Sequence, residues 1–337
     1  MEMTMRAVEV REISQVAEAR RVAVALAEAH GFGESDAGRV AIVATELATN
    51  ILKHGDGGSL LFGSFEDSSG AGIECIALDK GSGMANVADS MRDGHSTTGT
   101  AGNGLGAIAR GSHMTDIYSA PGGGTALLAR LQRGKPTHLG APPHPTFGAI
   151  SLPMHGEEVC GDAWCRKDDA SGATFMVADG LGHGPLAAQA AHAATRIFYS
   201  SAAPLPSEML PVMHNALRPT RGAAIGIAHV DARAGQIIFA GVGNIAATLI
   251  DGNGVRRMVS NNGTIGHIAR RMRDFTYPIV GETLIVLASD GLATSWDLNA
   301  YPGLVAHHPS LIAGVLWRDF NRGRDDVTVL VSRVEIG

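Results

Sequence analysis

The sequence is poor in cysteine and lacks any long apolar run. Its three cysteines, Cys75, Cys160 and Cys165, are odd in number and lack zinc-ligand spacing, which fits a reducing compartment. Apolar runs such as Leu284–Ala288 fall far short of the roughly 18 residues that span a bilayer. The first residues contain no apolar stretch followed by a small-residue cleavage site. We therefore expect a cytoplasmic protein without a membrane segment.

Positive charge is also scarce, and glycine is the residue in excess. The chain has 27 Lys and Arg against 33 Asp and Glu, a net charge of −6 that argues against general nucleic-acid binding. A hydrophobic fraction of 45% excludes a mainly disordered chain. Glycine accounts for 44 of 337 residues, well above the usual share of about 7%. The glycines have no Gly-X-Y period, which excludes collagen, and they cluster in loops where we expect binding chemistry.

The length predicts two domains, at roughly 150 residues each. Residues 134–147, GKPTHLGAPPHPTF, hold four prolines and no apolar periodicity, which indicates a semi-rigid linker. We predict domains over 1–133 and 148–337. In the first, helices precede and interrupt antiparallel strands, which predicts an α+β sandwich; in the second, many strands and few helices predict a β-sandwich faced by helices.

The clearest polar pair of the first half is Glu46 and Asn50, which lie one turn apart on a predicted helix over 35–54. They therefore share one helix face. An amide oxygen suits Mg²⁺, and a carboxylate can orient or deprotonate a hydroxyl. The pair predicts a nucleotide site, with a solvated helix face as the alternative.

Glycine-rich turns follow this helix. Asp79 ends an apolar strand and precedes Gly81 and Gly83, so the carboxylate can meet an adenine amino group while the glycines let the backbone approach the ring; the alternative is a simple turn. The run Gly102–Gly106 opens a predicted helix over 104–110, whose N–H groups suit phosphate. Thr125 follows three glycines and is placed to reach nucleotide. Dinucleotide-binding and P-loop patterns are absent.

In this order the elements resemble the N, G1, G2 and GT boxes of GHKL ATPases. The runs ATELATNILKHGDGG, MRDGHSTTG and GNGLGAIAR are most similar to the RsbT/RsbW serine kinases. The resemblance implies ATP and Mg²⁺, with Glu46 as the base or as a group that orients the hydroxyl, Asn50 as Mg²⁺ ligand and Asp79 as the residue that contacts adenine. It also implies a lid and phosphate loop formed by Gly81, Gly83, Gly102, Gly104 and Gly106. Thr125 would supply a hydroxyl contact to the nucleotide.

In the second half, acidic residues stand at the ends of predicted strands. These residues are Asp162, Asp179, Asp290 and the pair Asp325–Asp326. Positions so far apart in sequence converge only through folding. Clustered carboxylates suit Mg²⁺ or Mn²⁺, and two such ions can activate a water for attack on a phosphate ester. Any one Asp-Gly alone is typical of a turn.

The motif Asp179–Gly184, DGLGHG, resembles that of PPM-type phosphatases of the SpoIIE/RsbU/RsbX branch. His183 within it is either a proton donor to the substrate or a loop histidine with satisfied hydrogen bonds. Gly241–Asn244 resembles a structural turn of that family. The resemblance implies metal ligands at Asp162, Asp179, the Gly180 carbonyl, Asp290 and Asp325, with Asp326 as the alternative to Asp325.

Together these resemblances imply a two-way regulator of a bacterial partner-switching pathway. The first domain would phosphorylate a serine or threonine of a STAS-domain anti-sigma antagonist or stressosome protein, and the second would remove the phosphate. A sigma-factor regulator is a further candidate partner. Nucleotide or partner state would decide which activity prevails. The alternatives are a phosphatase with a non-catalytic nucleotide- or partner-binding module, and a nucleotide hydrolase joined to an unrelated phosphatase.

Overall fold

The chain forms two structural units, and each is built from more than one stretch of the sequence. A computed structural model describes residues 4–67, 70–87, 104–135 and 146–335. One unit takes its described residues from 5–143 and 298–318, and the other from 1–4, 144–297 and 319–337. The segment 298–318, which we predicted to be part of a domain over 148–337, therefore belongs by its contacts to the first unit.

The first unit contains a five-stranded antiparallel sheet in the order β1-β2-β3-β5-β4. Helices accompany the sheet, so this unit has the predicted α+β architecture. The strands are β1 (Arg6–Val10), β2 (Gly58–Asp67), β3 (Gly70–Asp79), β4 (Met114–Ser119) and β5 (Thr125–Gln132). The helices are α1 (Ile13–Ala29), α2 (Glu34–His54) and α3 (Gly104–Gly111).

One face of this sheet forms a core with the helices. Alternate residues of a strand point to opposite faces, and Ile73, Cys75 and Ala77 of β3 lie in the same cluster as Leu47 and Ile51 of α2. Burial raises the pKa of the Cys75 thiol, which therefore stays protonated in the core. The packing fixes α2 across the sheet and brings its C-terminal half toward the end of β3, where the predicted site residues lie.

The second unit contains two five-stranded antiparallel sheets, ordered β15-β10-β9-β8-β7 and β12-β11-β16-β17-β6. Phe175, Phe239, Ile285 and Leu287 belong to one buried cluster that both sheets supply. The first sheet comprises β7 (Asp162–Asp168), β8 (Gly172–Gly180), β9 (Ala223–Asp231), β10 (Gln236–Val242) and β15 (Phe275–Pro278). The second comprises β6 (Thr146–Leu152), β11 (Ala246–Asp251), β12 (Gly254–Arg257), β16 (Thr283–Ala288) and β17 (Val327–Val334). A short hairpin joins β13 (Gly263–Thr264) to β14 (Ile268–Ala269).

Two helices, α4 (Pro185–Ser200) and α5 (Pro206–Leu217), pack on the sheet that contains β8. Phe198 of α4 and Leu210 of α5 are fully buried there, beside Met176 of β8. The predicted sandwich faced by helices is confirmed. Sequence patterns did not predict α5, because prolines at its start and at Pro211 interrupt the helical signal.

The segment 298–318 contains two short 3₁₀ turns, Leu298–Ala300 and Leu304–Ala306, and most of helix α6 (Pro309–Phe320). Every residue of α6 from Pro309 to Leu316 is buried. A helix buried on all sides has an interior position. In the part of the chain that the structure describes, no helix combines the length and hydropathy that crossing a membrane requires.

Candidate functional site

Helix α2 and the start of α3 bring together three of the predicted nucleotide-site residues. A Cβ built on Gly104 would lie 3.3 Å from Oε2 of Glu46 and 3.2 Å from Oδ1 of Asn50. Glycine at 104 therefore leaves room beside both polar groups. Nδ2 of Asn50 is buried and makes no hydrogen bond within the described residues. An unsatisfied buried amide is costly, so the space beside Gly104 fits a polar ligand such as a hydrated Mg²⁺–phosphate group.

Asp79 is held at the end of β3 by backbone donors. Its Oδ1 accepts hydrogen bonds from Gly81 N (2.9 Å) and Thr125 N (3.1 Å). Burial raises the pKa of Asp79 above its ordinary range, while these bonds and the positive charges of Arg318 and His54 act to lower it. Both backbone bonds fall on Oδ1, so Oδ2 is the oxygen that remains for an adenine amino group.

Glycines around Asp79 allow backbone segments to approach closely. A Cβ on Gly81 would come within 2.3 Å of the His54 carbonyl oxygen. Gly83 has φ +67°, and a Cβ there would lie 2.0 Å from the Ala120 carbonyl oxygen. These clashes explain why glycine is needed at both predicted lid positions.

Thr125, for which a nucleotide contact stays a prediction, also holds neighbouring groups in place. Its amide holds Asp79, and its Oγ1 lies 3.0 Å from Oγ of Ser119. Ser119 Oγ also accepts a hydrogen bond from Met84 N and donates to the Gly124 carbonyl. Ser119 thus ties the loop after Asp79 to the β4–β5 turn, and no sequence motif pointed to it.

Gly106, predicted for the phosphate loop, is buried inside α3. Gly102 lies outside the described residues, so its role remains a prediction.

In the second unit the predicted acidic residues come to one end of the two sheets. Asp162 begins β7 and is paired directly with Asp179 near the end of β8. Ser289 follows β16, and its hydroxyl donates to Oδ2 of Asp162 (2.6 Å). Asp162 is only 2% exposed, which makes this hydrogen bond important for fixing its carboxylate.

Asp290 follows β16 at the same end. Its Oδ2 accepts a hydrogen bond from Nδ2 of Asn244 at 2.7 Å. The turn at Gly241–Asn244, predicted as structural, therefore also orients a predicted metal ligand. Gly243 in this turn has φ +100°.

The two neighbouring aspartates before β17 differ in their contacts. Asp326 is buried, and its carboxylate accepts hydrogen bonds from Met154 N (2.8 Å) and Gly161 N (2.9 Å). Asp325 accepts one from Asp326 N (2.9 Å). The backbone bonds of Asp326 resemble a structural anchor. The geometry therefore favours Asp325 as the ligand.

These carboxylates repel one another strongly. Burial, and then the charges of Asp162, Asp290, Asp325 and Asp326, raise the pKa of Asp179 to about 9. Burial also raises the pKa of Asp162, against the hydrogen bond from Ser289. Uncompensated negative charge of this kind is what a divalent cation would neutralise, so the donor set fits Mg²⁺ or Mn²⁺. Among the described residues no three His, Cys, Asp or Glu side chains are arranged to hold one ion; the carboxylates instead accept the hydrogen bonds given above.

The DGLGHG motif forms the turn between β8 and α4. Gly180 N donates to the Gly161 carbonyl (3.1 Å), next to the aspartates. His183 is half-exposed, and its Nδ1 lies 2.7 Å from Oε1 of Glu157. Glu157 is a partner that sequence patterns did not single out. The pair is compatible with a proton donor and with a hydrogen-bonded loop histidine.

Family models match both halves of the chain. The model of the histidine kinase-like ATPase domain matches residues 10–131, and that of stage II sporulation protein E (SpoIIE) matches residues 169–335. The chain is 32% identical over 111 residues to the serine/threonine-protein kinase RsbT of Bacillus subtilis (strain 168). The matched region covers 33% of this chain and 84% of RsbT.

Solved structures resemble a little over half of the chain. One described as part of the bacterial stressosome, a modular system adapted to control secondary messenger signaling, has a TM-score of 0.53 at 28% identity and covers 57% of this chain and 100% of its own. RsbX in complex with magnesium has a TM-score of 0.52 at 21% identity, with 58% and 98% covered. The RsbX likeness shows a shared fold.

Proposed function

The chain belongs to the RsbT-like histidine kinase-like ATPases through its first domain and to the SpoIIE-type PP2C phosphatases through its second, and on that premise we propose that it both adds and removes a phosphate on one protein. The acceptor is a serine or threonine of a STAS-domain anti-sigma antagonist or stressosome protein. Phosphate adds about −1.5 to −2 charges at neutral pH, enough to change such a partner's contacts.

The observation that carries the proposal is that both sets of chemical groups are present in one chain. Glu46 and Asn50 converge beside Gly104, and the backbone amides of Gly81 and Thr125 anchor Asp79. Asp162 and Asp179 are paired, and Asp290 and Asp325 act on Asp179 by charge. A docking module alone would need neither a base nor a cluster of repelling carboxylates.

In the first domain, Asp79 would accept a hydrogen bond from the adenine amino group. Glu46 would take the proton of the acceptor hydroxyl, whose oxygen forms a bond to the γ-phosphorus while the bond to the leaving ADP breaks. Mg²⁺, held through Asn50, would neutralise phosphate charge. Asn50 and Glu46 lie on one rigid helix, so their spacing is set before substrate binds.

In the second domain, Asp162, Asp179, the Gly180 carbonyl, Asp290 and Asp325 would hold Mg²⁺ or Mn²⁺, which would supply an acidified water. Ser289 and Asn244 keep Asp162 and Asp290 oriented. His183, held by Glu157, would give a proton to the serine or threonine oxygen that leaves the phosphorus.

The test uses the full chain, ATP, Mg²⁺ or Mn²⁺ and a STAS-domain protein encoded beside it. Intact mass reports acceptor phosphorylation by wild type, Asp179→Asn, and Asp179→Asn combined with Glu46→Ala. Phosphate should accumulate when Asp179 is replaced and should disappear when Glu46 is also replaced. Asp168→Asn, at the exposed far end of β7, is the matched control and should behave as wild type.

Two other outcomes would contradict the proposal. If no variant phosphorylates the acceptor but wild type removes pre-formed phosphoserine, the first domain is a non-catalytic binding module. If ATP is hydrolysed equally with and without the acceptor, the first domain is a nucleotide hydrolase.

A further inference from the structure

The segment 298–318 comes late in the sequence, between the predicted metal ligands Asp290 and Asp325, yet it is built into the unit that contains the nucleotide site. Its return to the second unit is marked by local backbone contacts: Ala293 N donates to Phe320 O and Arg322 N to Gly291 O. The segment is thus an excursion from one domain into the other.

Apolar contacts place α6 on the sheet face opposite α1 and α2. A Cβ on Gly314 would lie 3.3 Å from Ile76 and 3.2 Å from Leu78 of β3. These residues alternate with Ile73, Cys75 and Ala77, which face the helical core. Glycine at 314 therefore lets α6 lie close against β3.

Polar contacts fix the same segment. Ser310 Oγ donates to Oε2 of Glu74 (2.9 Å), which also accepts from Nε of Arg130 (2.7 Å), and all three side chains are buried. His307 Nδ1 lies 2.8 Å from Oδ1 of Asp116 on β4. A buried hydroxyl left without a partner is costly, so the contact from Ser310 fixes α6 against the sheet.

Near its C-terminal end, α6 contacts Asp79, where the loop that contains Gly81 and Gly83 begins. Nη1 of Arg318 donates to the main-chain oxygen of Asp79 at 2.7 Å. The pairing of β3 with β5 runs only from Gly72 to Leu78. Arg318 therefore supports the carbonyl just where that strand pairing has ended and the loop with Gly81 and Gly83 begins.

We propose that Arg318 is a positioning residue of the nucleotide site: the phosphatase half of the sequence lends an arginine that holds Asp79 in place to receive adenine. The inference rests on the proposed role of Asp79. It makes the nucleotide-binding unit longer than residues 1–133, since a residue beyond position 300 completes it. Arg318 acts through Asp79 and does not itself need to touch the nucleotide.

The charge of Arg318 gives this role a signature. Asp79 faces His54 of α2 and Arg318 of α6, and Lys80 follows it in the chain; the Arg318 charge acts to lower the Asp79 pKa, against burial. A neutral residue at 318 should therefore raise the pH at which acidification abolishes adenine binding. A support that acted only through packing would leave this midpoint unchanged.

The experiment measures ADP and GDP binding to the full chain with Mg²⁺ by calorimetry, between neutral and acidic pH. Arg318→Gln should weaken ADP binding about tenfold, the usual loss for a hydrogen bond to a charged group. It should also reduce the preference for ADP over GDP and move the acid midpoint upward. Arg318→Lys should restore the midpoint. Arg133→Ala removes an exposed arginine from the end of the same sheet and is the matched control.

The inference is overturned if Arg318→Gln binds ADP within about twofold of Arg133→Ala with an unchanged midpoint. Failure of the underlying site gives a different result: wild type would not prefer ADP, or Asp79→Asn would bind ADP as wild type does. If Arg318→Gln lowers the melting temperature, the comparison is made with Arg318→Lys. Lysine keeps the positive charge, so the acid midpoint should not move, and loss of the ADP preference at that unchanged midpoint supports positioning.

Discussion

In the first unit one carboxylate, Asp79, is surrounded by donors: two backbone amides on its side chain and an arginine on its carbonyl. In the second unit, burial and the charges of neighbouring aspartates raise the pKa of Asp179 and Asp290, and a hydrogen bond from Asn244 acts against this at Asp290. The nucleotide site is thus shaped before ligand arrives, largely by glycines. The acidic site stores electrostatic repulsion that a cation would relieve. Mutations should therefore act through shape in one and through charge in the other.

The largest effect is expected where charge dominates. Asp179→Asn keeps the size of the side chain but removes a carboxylate that we propose as a metal ligand. Because bound cations supply several kcal/mol of transition-state stabilisation, we expect phosphoserine hydrolysis to fall at least about 10³-fold. Hydrolysis of a phosphoserine STAS substrate is measured with saturating Mn²⁺, with Asp168→Asn as control. Activity above a tenth of wild type would show that Asp179 is not a ligand.

Shape is tested by two glycines of the first unit. Both Gly83 and Gly122 have positive φ, but a Cβ at 83 would meet the Ala120 carbonyl at 2.0 Å, whereas at 122 it would meet nothing within 4 Å. Gly122→Ala carries only backbone strain of about 1 kcal/mol. Gly83→Ala adds the clash, and we expect it to lower the free energy of unfolding by about 3 kcal/mol.

Urea unfolding of the two variants isolates the clash, because the backbone strain is common to both. If both variants lose the same free energy of unfolding, the loop after Asp79 can shift to accommodate the added Cβ without loss of stability. The site would then be less preorganised than its geometry indicates.

The acidic site was easier to predict from sequence than the nucleotide site. Each of its predicted ligands lies at the end of an apolar strand, so strand ends bring Asp162, Asp179 and Asp290 to the same region. The hydrogen bonds that Asn244 and Ser289 make to the aspartates were not predicted, because a Gly-rich turn and a serine before an Asp are also typical of ordinary turns. Their role comes from hydrogen bonds to residues 46 and 127 positions away, which a linear pattern does not encode.

Arg318 was beyond prediction for a related reason. The sequence of helix α6, Pro309–Phe320, gives no indication of which sheet the helix contacts. The contact from Arg318 to Asp79 spans 239 positions. The sequence division at residues 134–147 assigned the two residues to different domains, because a linker pattern does not reveal a later return of the chain.

A moderate effect should separate ligands from the residues that orient them. Asn244→Ala removes the donor to Asp290, and partners of metal ligands typically contribute 10- to 100-fold in affinity or activity. We expect Mn²⁺ to bind about tenfold more weakly, measured by calorimetry. Asn253→Ala, an exposed asparagine in the turn after β11, should bind Mn²⁺ as wild type does. Equal affinities for both variants would assign Asn244 to the turn alone.

The smallest effect concerns the attachment of segment 298–318. Asp116 accepts hydrogen bonds from the His307 side chain and from His308 N (2.7 Å). Burial acts to raise the pKa of Asp116, but these bonds outweigh it and leave the pKa below its ordinary value. A carboxylate with a lowered folded-state pKa stabilises the fold above its unfolded-state pKa and loses that effect as the pH falls through the lowered value.

Asp116→Asn should therefore cost about 1 kcal/mol at neutral pH, and the difference from wild type should shrink as the pH falls below the ordinary carboxyl range. Urea unfolding at several pH values measures this, with Glu66→Gln on the exposed edge of β2 as the control. A difference that is constant with pH would mean that the shape of Asp116, and not its charge, holds the segment. The attachment would then resemble the nucleotide site that it supports, where backbone shape sets the position of the side chains and charge has a smaller effect.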